Sequence, residues 1–545
     1  MARLCAVVFA IVACGVASAI VASAWLRRYA AAKDNDLKPG HLSGVSGFYD
    51  RALGQTVQHA GESARRSFLS STLGSNMVLQ RAPQHAVVWG FVAPGTVVTT
   101  TLDNTRHMSS TAGSDGVWRQ QLPATEASAS PHILSFRAST GETAEMRNVL
   151  FGDVYLCGGQ SNMKFPMPLI ENASDEIARA DLYPLVRLFT VGQGTQSKIP
   201  LHDLQTITQP WAVAGHNSIG GKGDVGYFSA VCWIFGREVF DALGGSVPIG
   251  LISSNAGKSA IESWSTAETL KKCNVTNVDS ALYNAMINPY TVGPMALVGF
   301  TWYQGEANVH QPLCAGTQRY ACTFPAMIKE WRQAFKNPGA YFGFVQLSTW
   351  CGQGARLSEM RSHGQMSALS LANVGYATNA DHGDGCNIHP PAKQYCAKRL
   401  ANSALALVYK QNVMWKSPTF KSQTASASPP SVTVSFNDVS GSGLRDDQYP
   451  FNYLGGTFNC SATEDQCAWA SLQLANGSWV NSSIAVKGNQ MTLSLPQSYS
   501  KAGAPVASSY AWGAVPMMPV YDRETSLPVL AWSEKVVADR RALVA

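Results

Sequence analysis

Short apolar runs separated by turn residues occupy two parts of the chain, from about residue 68 to 148 and again after about Met414. The runs are rich in β-branched residues, and turn signals such as Pro94-Gly95 interrupt them. This rhythm is typical of the antiparallel strands of a β-sandwich. The strands predicted in this way are residues 87–90, 96–101, 117–122, 133–137, 431–436 and 491–495.

Between these two parts the apolar runs are continuous and alternate with helical patterns. Continuous apolar strands alternating with helices predict a parallel sheet covered on both faces, whose sites lie beyond the carboxyl ends of its strands. We therefore expect an α/β fold with β-sandwich-like regions at both ends, divided at 67–148, 149–414 and 415–545. The predicted strands are residues 154–159, 247–254, 296–302 and 341–347, and the predicted helices are 229–243, 324–335 and 391–409.

The first residues predict export from the cytosol. Arg3 precedes an apolar stretch over residues 4–26 that contains small-residue sites at 17–19 and 22–24, as a cleavable signal peptide does. The same stretch is long enough to cross a bilayer, so an uncleaved anchor is the alternative and the only membrane contact expected. We predict a signal peptide or anchor over 1–24 and a linker over 25–66, with a secreted, lysosomal or cell-surface destination.

The charge and the cysteine content indicate which partners, metal sites and cross-links to expect. The net charge is +6 over 545 residues and the basic residues are scattered, which does not favour nucleic-acid binding. Neither CxxC nor HxxxH spacing occurs, so no zinc site is predicted. Ten cysteines outside the first segment predict disulfides in an exported chain. The short-range pairs suggested by sequence separation are Cys314/Cys322, Cys386/Cys396 and Cys460/Cys467.

A glycine-rich turn around Ser161 carries the first candidate catalytic group. Residues 158–163 read GGQSNM, and glycines before a serine allow a sharp turn that exposes its hydroxyl at the start of a helix. Backbone N–H groups at such a turn stabilise a developing oxyanion. Taken alone, the segment is more typical of a serine that caps a helix after a glycine turn.

A histidine on a loop before a predicted helix is the candidate base. His389, in the segment CNIHPPAK, is a residue that takes the proton from a serine and returns it to the leaving alcohol. Asp384 and Asp381 lie five and eight residues upstream. A carboxylate near an imidazole fixes its tautomer and stabilises its protonated form, although loop aspartates often only form turns.

Another polar turn, TWYQGEAN over residues 301–308, follows a predicted strand. The side-chain amide of Gln304 is a candidate oxyanion donor. Glu306 is a further candidate for the carboxylate that orients His389. Taken alone, the segment is more typical of a polar turn that merely closes a strand.

The segment SNAGKSAIESW over residues 254–264 follows the strand predicted before it. Gly257 allows a close backbone approach, and its N–H group is a second candidate oxyanion donor. Trp264 and Trp302 are large aromatic residues that either line the face of a bound sugar or belong to the core.

In that order along the chain, GGQSNM, WYQGEAN and IHPPAK resemble the sialate O-acetylesterase family within the SGNH-type hydrolases. The segments NMVLQR at 76–81 and YAWG at 510–513 are similar to that family's flanking β regions, so the resemblance spans roughly residues 68–535. Each motif is weak alone, and their ordered combination is specific.

The resemblance implies a function and a set of roles. It implies an esterase that removes acetyl groups from sugars, first of all O-acetylated sialic acids, through an acetyl-serine and without a metal or organic cofactor. By the same likeness Ser161 is the nucleophile and His389 the base, and Gly257 and Gln304 fall at oxyanion positions.

The chain departs from the family pattern at the acid of the triad. SGNH-type hydrolases commonly place the acid three residues before the histidine, where this chain has Cys386, and many relatives have aspartate two before it, where this chain has Asn387. Asp384 is the first candidate, followed by Glu306 and Asp381. Two alternative functions stay open: deacetylation of other polysaccharides such as xylan, and glycan binding on a scaffold that has lost turnover.

Overall fold

The computed structural model describes residues 67–192, 194–221, 228–276, 278–310, 316–448 and 467–536. All of them belong to one compact unit, Gly61–Ala545. The predicted signal peptide or anchor and the predicted linker lie outside the described residues and stay predictions. No helix in the described part of the chain combines the length and apolar character that crossing a membrane requires.

A β region whose strands pair mostly antiparallel opens the described chain. Its strands are β1 (Val78–Gln80), β2 (Val87–Phe91), β3 (Val97–Leu102), β4 (Arg106–Thr111), β5 (Val117–Gln121) and β6 (Ser128–Ala138). β2 and β5 pair with each other, and β3 lies between β4 and β6. Buried side chains alternate with more exposed ones along β3, as in a strand with one solvated face. The predicted sandwich-like region is confirmed.

A parallel sheet forms the centre of the molecule. Its strands are β7 (Thr143–Gly159), β8 (Val186–Val191), β9 (Ile207–Val213), β10 (Ile249–Asn255), β11 (Gly299–Tyr303), β12 (Tyr341–Gln346) and β13 (Val374–Thr378). Their order is β13-β12-β11-β7-β10-β8-β9, and β9 alone among these neighbours pairs antiparallel. β7 starts beside β6 in the amino-terminal region, so one strand crosses the expected boundary at residues 148–149.

Helices cover both faces of this sheet. They are α1 (Ser161–Lys164), α2 (Ala173–Arg179), α3 (His216–Gly220), α4 (Ala230–Ala242), α5 (Ala267–Lys272), α6 (Asn288–Thr291), α7 (Glu306–His310), α8 (Gly316–Ala334), α9 (Ala355–Glu359) and α10 (Gln394–Leu407). Successive side chains of β12 point to opposite faces of the sheet, so neighbouring residues of this strand contact helices on different faces. Phe342 packs on Trp331 of α8, whereas the hydroxyl group of Tyr341 hydrogen-bonds to Ser403 of α10. The predicted α/β architecture is confirmed.

Further antiparallel sheets follow the α/β part. The strands are β14 (Thr419–Ala427), β15 (Pro430–Asn437), β16 (Leu444–Asp446), β17 (Cys467–Ala468), β18 (Ala470–Gln473), β19 (Trp479–Asn481), β20 (Ser483–Lys487), β21 (Gln490–Ser494), β22 (Ala507–Tyr510), β23 (Val515–Pro516), β24 (Val520–Asp522) and β25 (Trp532–Lys535). Two four-stranded sheets, β14-β15-β21-β20 and β19-β18-β22-β25, share one apolar core. Trp532 of the second sheet contacts Phe436 of the first, with 5.3 Å between ring centroids.

Two of the three disulfide predictions are wrong. Cys322 is bonded to Cys273 and Cys386 to Cys351, while Cys396 is a buried free thiol in α10. Separation along the chain is a poor guide here because the cross-links join elements that become neighbours only on folding. The structure also contains Cys157–Cys232, between β7 and α4. Cys467 is disulfide-bonded. Since Cys460 lies outside the described residues, the pairing of these two stays a prediction.

Candidate active site

Ser161 lies at the turn between β7 and α1, beyond the carboxyl end of the central strand. Gly159 has a φ of 141°, and a Cβ atom there would lie 2.3 Å from the carbonyl oxygen of Tyr303, so the turn requires glycine. The N–H group of Gln160 then donates to the same oxygen at 3.0 Å. Ser161 is the partly exposed first residue of the helix that follows.

The turn after β10 lies beside this serine. A Cβ atom built on Gly257 would lie 3.9 Å from the Cβ atom of Ser161. The N–H group of Ala256 donates to the carbonyl oxygen of Gly159 at 3.0 Å, which fixes the two turns to each other. The structure therefore brings together the serine and the glycine that the sequence predicts.

The histidine loop packs against α1. The side-chain amide of Asn162 donates to the carbonyl oxygen of Ile388 at 2.9 Å. The ring of Phe165 stacks on the ring of His389, with 6.3 Å between centroids. The Asn387 side chain accepts the N–H group of His389 at 3.0 Å and so shapes the loop. The residues that follow Ser161 thus contact the loop that carries His389.

The environment of His389 favours the neutral imidazole. Burial, followed by the positive charge of Lys393, lowers the pKa of His389 to about 4. A neutral ring at ordinary pH is the form that accepts a proton from a hydroxyl group. The electrostatics therefore keep the ring in the form that can accept a proton.

Lys393 and Asn162 were not selected from the sequence, although both lie in the quoted motifs. Lys393 is fully buried, and its ammonium group donates to Asn162 Oδ1 and to the carbonyl oxygen of Pro390, each at 2.7 Å. Burial lowers its pKa to about 8, while Cys396 and then Glu306 act in the opposite direction. The sequence signal for Lys393 is a lysine that follows apolar residues in the segment IHPPAK, where burial of the chain would bury it too.

The three candidate acids lie in different environments. Asp381 is fully enclosed and forms a bidentate pair with Arg399 at 2.7 and 2.8 Å. Glu306 is 3% exposed and accepts a hydrogen bond from Asn162 at 2.5 Å. Asp384 lies on the histidine loop itself and accepts from the side chain of Asn387 at 3.1 Å. Asp381 and Asp384 both precede His389 on the same loop, but Asp381 is bound to the buried Arg399. Asp384 is therefore the carboxylate of this loop that is not bound to a buried cation among the described residues.

The expected role of Gln304 as an oxyanion donor is not met in this geometry. The Gln304 amide donates to the carbonyl oxygen of Ser259 at 3.1 Å and to Asn308 Oδ1 at 2.7 Å, so both of its hydrogens are used. Asn308 in turn donates to Glu262 at 2.8 Å. This buried network joins the turns after β10 and β11 and fixes the position of Gly257 indirectly.

The prediction that Trp264 and Trp302 line the sugar is wrong. Both are fully buried and contact each other edge to face, with 5.7 Å between ring centroids. The indole N–H group of Trp264 donates to Ser259, and that of Trp302 to Tyr320. Their alternative assignment to the core is correct, because rings without exposed surface do not contact a ligand.

The Cys351–Cys386 disulfide anchors the histidine loop, and its removal gives a first prediction. Cys351→Ser/Cys386→Ser opens a cross-link that spans 35 residues, so we expect a loss of about 3–4 kcal/mol in the free energy of unfolding. Because Cys386 precedes His389 by three residues, we also expect kcat to fall about 10- to 100-fold. Thermal unfolding and initial rates with 4-nitrophenyl acetate measure both quantities. Cys273→Ser/Cys322→Ser is the matched control, expected to lose stability without the loss in kcat; equal kcat losses in the two variants would contradict the assignment.

The chain is similar to known carbohydrate esterases. Residues 151–406 match the family model described as carbohydrate esterase, sialic acid-specific acetylesterase. The sialate O-acetylesterase of Pongo abelii is 30% identical over 84% of this chain and 91% of its own length. That of Homo sapiens is 33% identical over 64% of this chain and 72% of its own length. Among solved structures, a carbohydrate acetylesterase from Xanthomonas citri has a TM-score of 0.72 and 28% identity, covering 86% of this chain and 99% of the other.

The matched residues contain all of the turns that meet at Ser161. A hydroxyl group, a neutral imidazole and backbone N–H groups at one end of a sheet are the parts that acyl transfer from an ester requires. The likeness to the mammalian enzymes and to the bacterial acetylesterase covers the β regions as well as this sheet. The chain belongs to the sialate O-acetylesterase family of carbohydrate esterases, which are carboxylic ester hydrolases.

Proposed function

We propose that the protein removes O-acetyl groups from sialic acids, with Ser161 as nucleophile and His389 as general base. The observation that carries this proposal is the position of Asn162, which follows the serine and bonds both to the loop of His389 and to Lys393. Distant parts of the chain are thereby joined at the residue that follows Ser161. The sequence-based alternative in which Ser161 only caps a helix does not account for this arrangement.

The reaction proceeds by two acyl transfers. Ser161 attacks the acetyl carbonyl carbon while His389 takes its proton, and the N–H groups of Ser161 and Gly257 stabilise the tetrahedral oxyanion. Collapse of that intermediate expels the sugar oxygen, which receives the proton from His389. Water, activated by the same imidazole, then hydrolyses the acetyl-serine and releases acetate.

We assign the acid to Asp384. Its place on the histidine loop, and its bond to Asn387 beside His389, support a role in orienting the imidazole. Glu306 and Asp381 are held by Asn162 and Arg399 instead.

Comparing two single variants tests this assignment. Asp384→Ala is expected to lower kcat on 4-nitrophenyl acetate by about 10²–10⁴-fold with rates still above the uncatalysed reaction, because Ser161, His389 and the oxyanion donors remain. Glu306→Gln keeps an oxygen that accepts from Asn162, so its loss in kcat should be smaller. The reverse order of the two losses would give the role to Glu306.

The substrate follows from the family. Its mammalian members are named for sialate, and this chain aligns with them over most of its length. The decisive measurement is acetate release from 9-O-acetylated N-acetylneuraminic acid and from acetylated xylan at equal acetyl concentration. A higher kcat/KM on the sialic acid supports the proposal, and turnover of xylan alone would overturn it.

Export from the cytosol is compatible with the disulfides among the described residues and with the likeness to mammalian sialate O-acetylesterases. Four asparagines of Asn-x-Ser/Thr triplets are exposed, which suits glycosylation: Asn172, Asn274, Asn476 and Asn481. We propose passage through the secretory pathway with cleavage of the signal peptide over residues 1–24.

A further inference from the structure

A second lysine lies in the helix that begins with the nucleophile. Of the four residues of α1, Asn162 and Met163 are buried, whereas Ser161 and Lys164 are partly exposed. Residues three apart are neighbours on one face of a helix, and helical side chains lean towards the amino terminus. Residue 164 is therefore carried on the same face of α1 as Ser161.

The charge of Lys164 is not neutralised by the described part of the chain. None of the ion pairs among the described residues includes it. Burial lowers its pKa to about 8, so the cation is still the main form at neutral pH. Lys393 differs in this respect, since its ammonium group is bound to Asn162 and Pro390.

A partly buried cation without a carboxylate beside it is unfavourable in the free protein and becomes favourable when an anion binds. Two buried cations of this region serve the protein itself: Lys393 bonds to α1 and the histidine loop, and Arg399 pairs with Asp381. Lys258, which follows Gly257, is exposed, so Lys164 is the partly buried cation on the helix that begins with Ser161.

We propose that Lys164 binds the carboxylate of an acidic acetylated sugar while its acetyl group lies at Ser161, and so selects sialic acids over neutral acetylated sugars. The assignment rests on the proposed function, because it presumes that the ester is cleaved at Ser161. The flexible four-carbon stem of lysine carries the ammonium group away from the helix axis. That reach suits a substrate whose carboxylate and ester are separated by several bonds, as they are in a 9-O-acetylated sialic acid.

The test compares wild type, Lys164→Met, Lys164→Arg and the exposed-site control Lys487→Met. The substrates are 9-O-acetylated N-acetylneuraminic acid, its C1 methyl ester and 4-nitrophenyl acetate. For Lys164→Met we expect KM on the free acid to rise about 10- to 100-fold. Lys164→Arg keeps the charge, so its KM should lie between those of wild type and Lys164→Met. Wild type should bind the methyl ester as weakly as Lys164→Met binds the free acid, and Lys164→Met should no longer distinguish the two. Thermal unfolding of each variant confirms that it is folded.

The outcomes separate this inference from the proposed function. If wild type and Lys164→Met have the same KM on the free acid, or prefer it to the methyl ester by the same factor, Lys164 does not bind the carboxylate, although sialate esterase activity stands. If wild type cleaves 4-nitrophenyl acetate but neither sialic acid substrate, the proposed substrate and the Lys164 assignment both fail. A fall in the ratio of kcat/KM on the free acid to that on 4-nitrophenyl acetate, seen in Lys164→Met and not in Lys487→Met, supports the inference.

Discussion

Ser161→Ala and His389→Ala are each expected to lower kcat on 4-nitrophenyl acetate by about 10⁴- to 10⁶-fold, and the double variant by no more than the worse single one. The two side chains act as a unit, because the serine is a poor nucleophile without a base and the base has no proton to take without the serine. A small rate above the uncatalysed reaction should remain, since the N–H groups of residue 161 and Gly257 are backbone groups that survive both substitutions.

Controls of the same chemical kind make this result specific. Ser500→Ala and His107→Ala remove a serine and a histidine from exposed positions far along the chain from any of the catalytic turns, and both should keep wild-type rates. Thermal unfolding should show that all variants are folded, and acetate release from the acetylated sialic acid should follow the same order. If Ser161→Ala and wild type have equal rates, the nucleophile is elsewhere; if the two single losses multiply in the double variant, the residues act independently.

The central sheet could be predicted because its strands are buried on both faces. Such strands read as continuous apolar runs, and those ending at Gly159, Asn255 and Tyr303 were recognised within a few residues of their observed ends. β8 and β13 were missed, although every residue of both is buried. β8 carries a charged residue at its second position, Arg187, which interrupts the apolar run although it is buried. Its guanidinium group donates to backbone carbonyl oxygens at 2.9 and 3.0 Å.

The parts of the site whose backbone geometry requires particular residues could be predicted from the sequence. The parts in which contacts between distant residues determine the role of a side chain could not. Gly159 is required by a close approach to Tyr303, so the turn has a recognisable composition. The role of Gln304 depends on Ser259 and Asn308, which take both of its amide hydrogens only in the folded chain. The same holds for Trp264 and Trp302. A tryptophan can stack on a bound sugar or pack in the core, and only its exposure in the folded chain distinguishes the two roles.

The second large effect is expected from Lys393→Met, which removes a buried charge at nearly constant length. Asn162 Oδ1 and the carbonyl oxygen of Pro390 lose their donor, and the carboxyl group of Glu306 loses a cation whose charge lowers its pKa. Each buried acceptor left without its donor costs about 1–3 kcal/mol in the free energy of unfolding. Because the two bonds join α1 to the histidine loop, we also expect kcat to fall about 10²- to 10³-fold.

The pH profile distinguishes this role from a loss of stability alone. In wild type, the charge of Lys393 is one of the two causes that hold the pKa of His389 near 4, so kcat/KM should fall only as the pH drops towards 4. Without that charge the imidazole is protonated more easily, its pKa rises, and the acid limb of kcat/KM moves to higher pH. The other groups that act on Lys393 are Glu306 of α7 and Cys396 of its own helix, and both are present in the variant.

Lys398→Met is the matched control for this experiment, because Lys398 lies on the same helix but is exposed. It should keep the stability, the kcat and the acid limb of wild type when kcat/KM is measured between pH 3.5 and 8. Lys393→Met/Glu306→Gln should recover part of the lost stability, since the remaining buried carboxyl group no longer carries a charge, while the acid limb stays displaced. An acid limb that does not move in Lys393→Met would show that the lysine supports the fold around His389 without tuning its basicity.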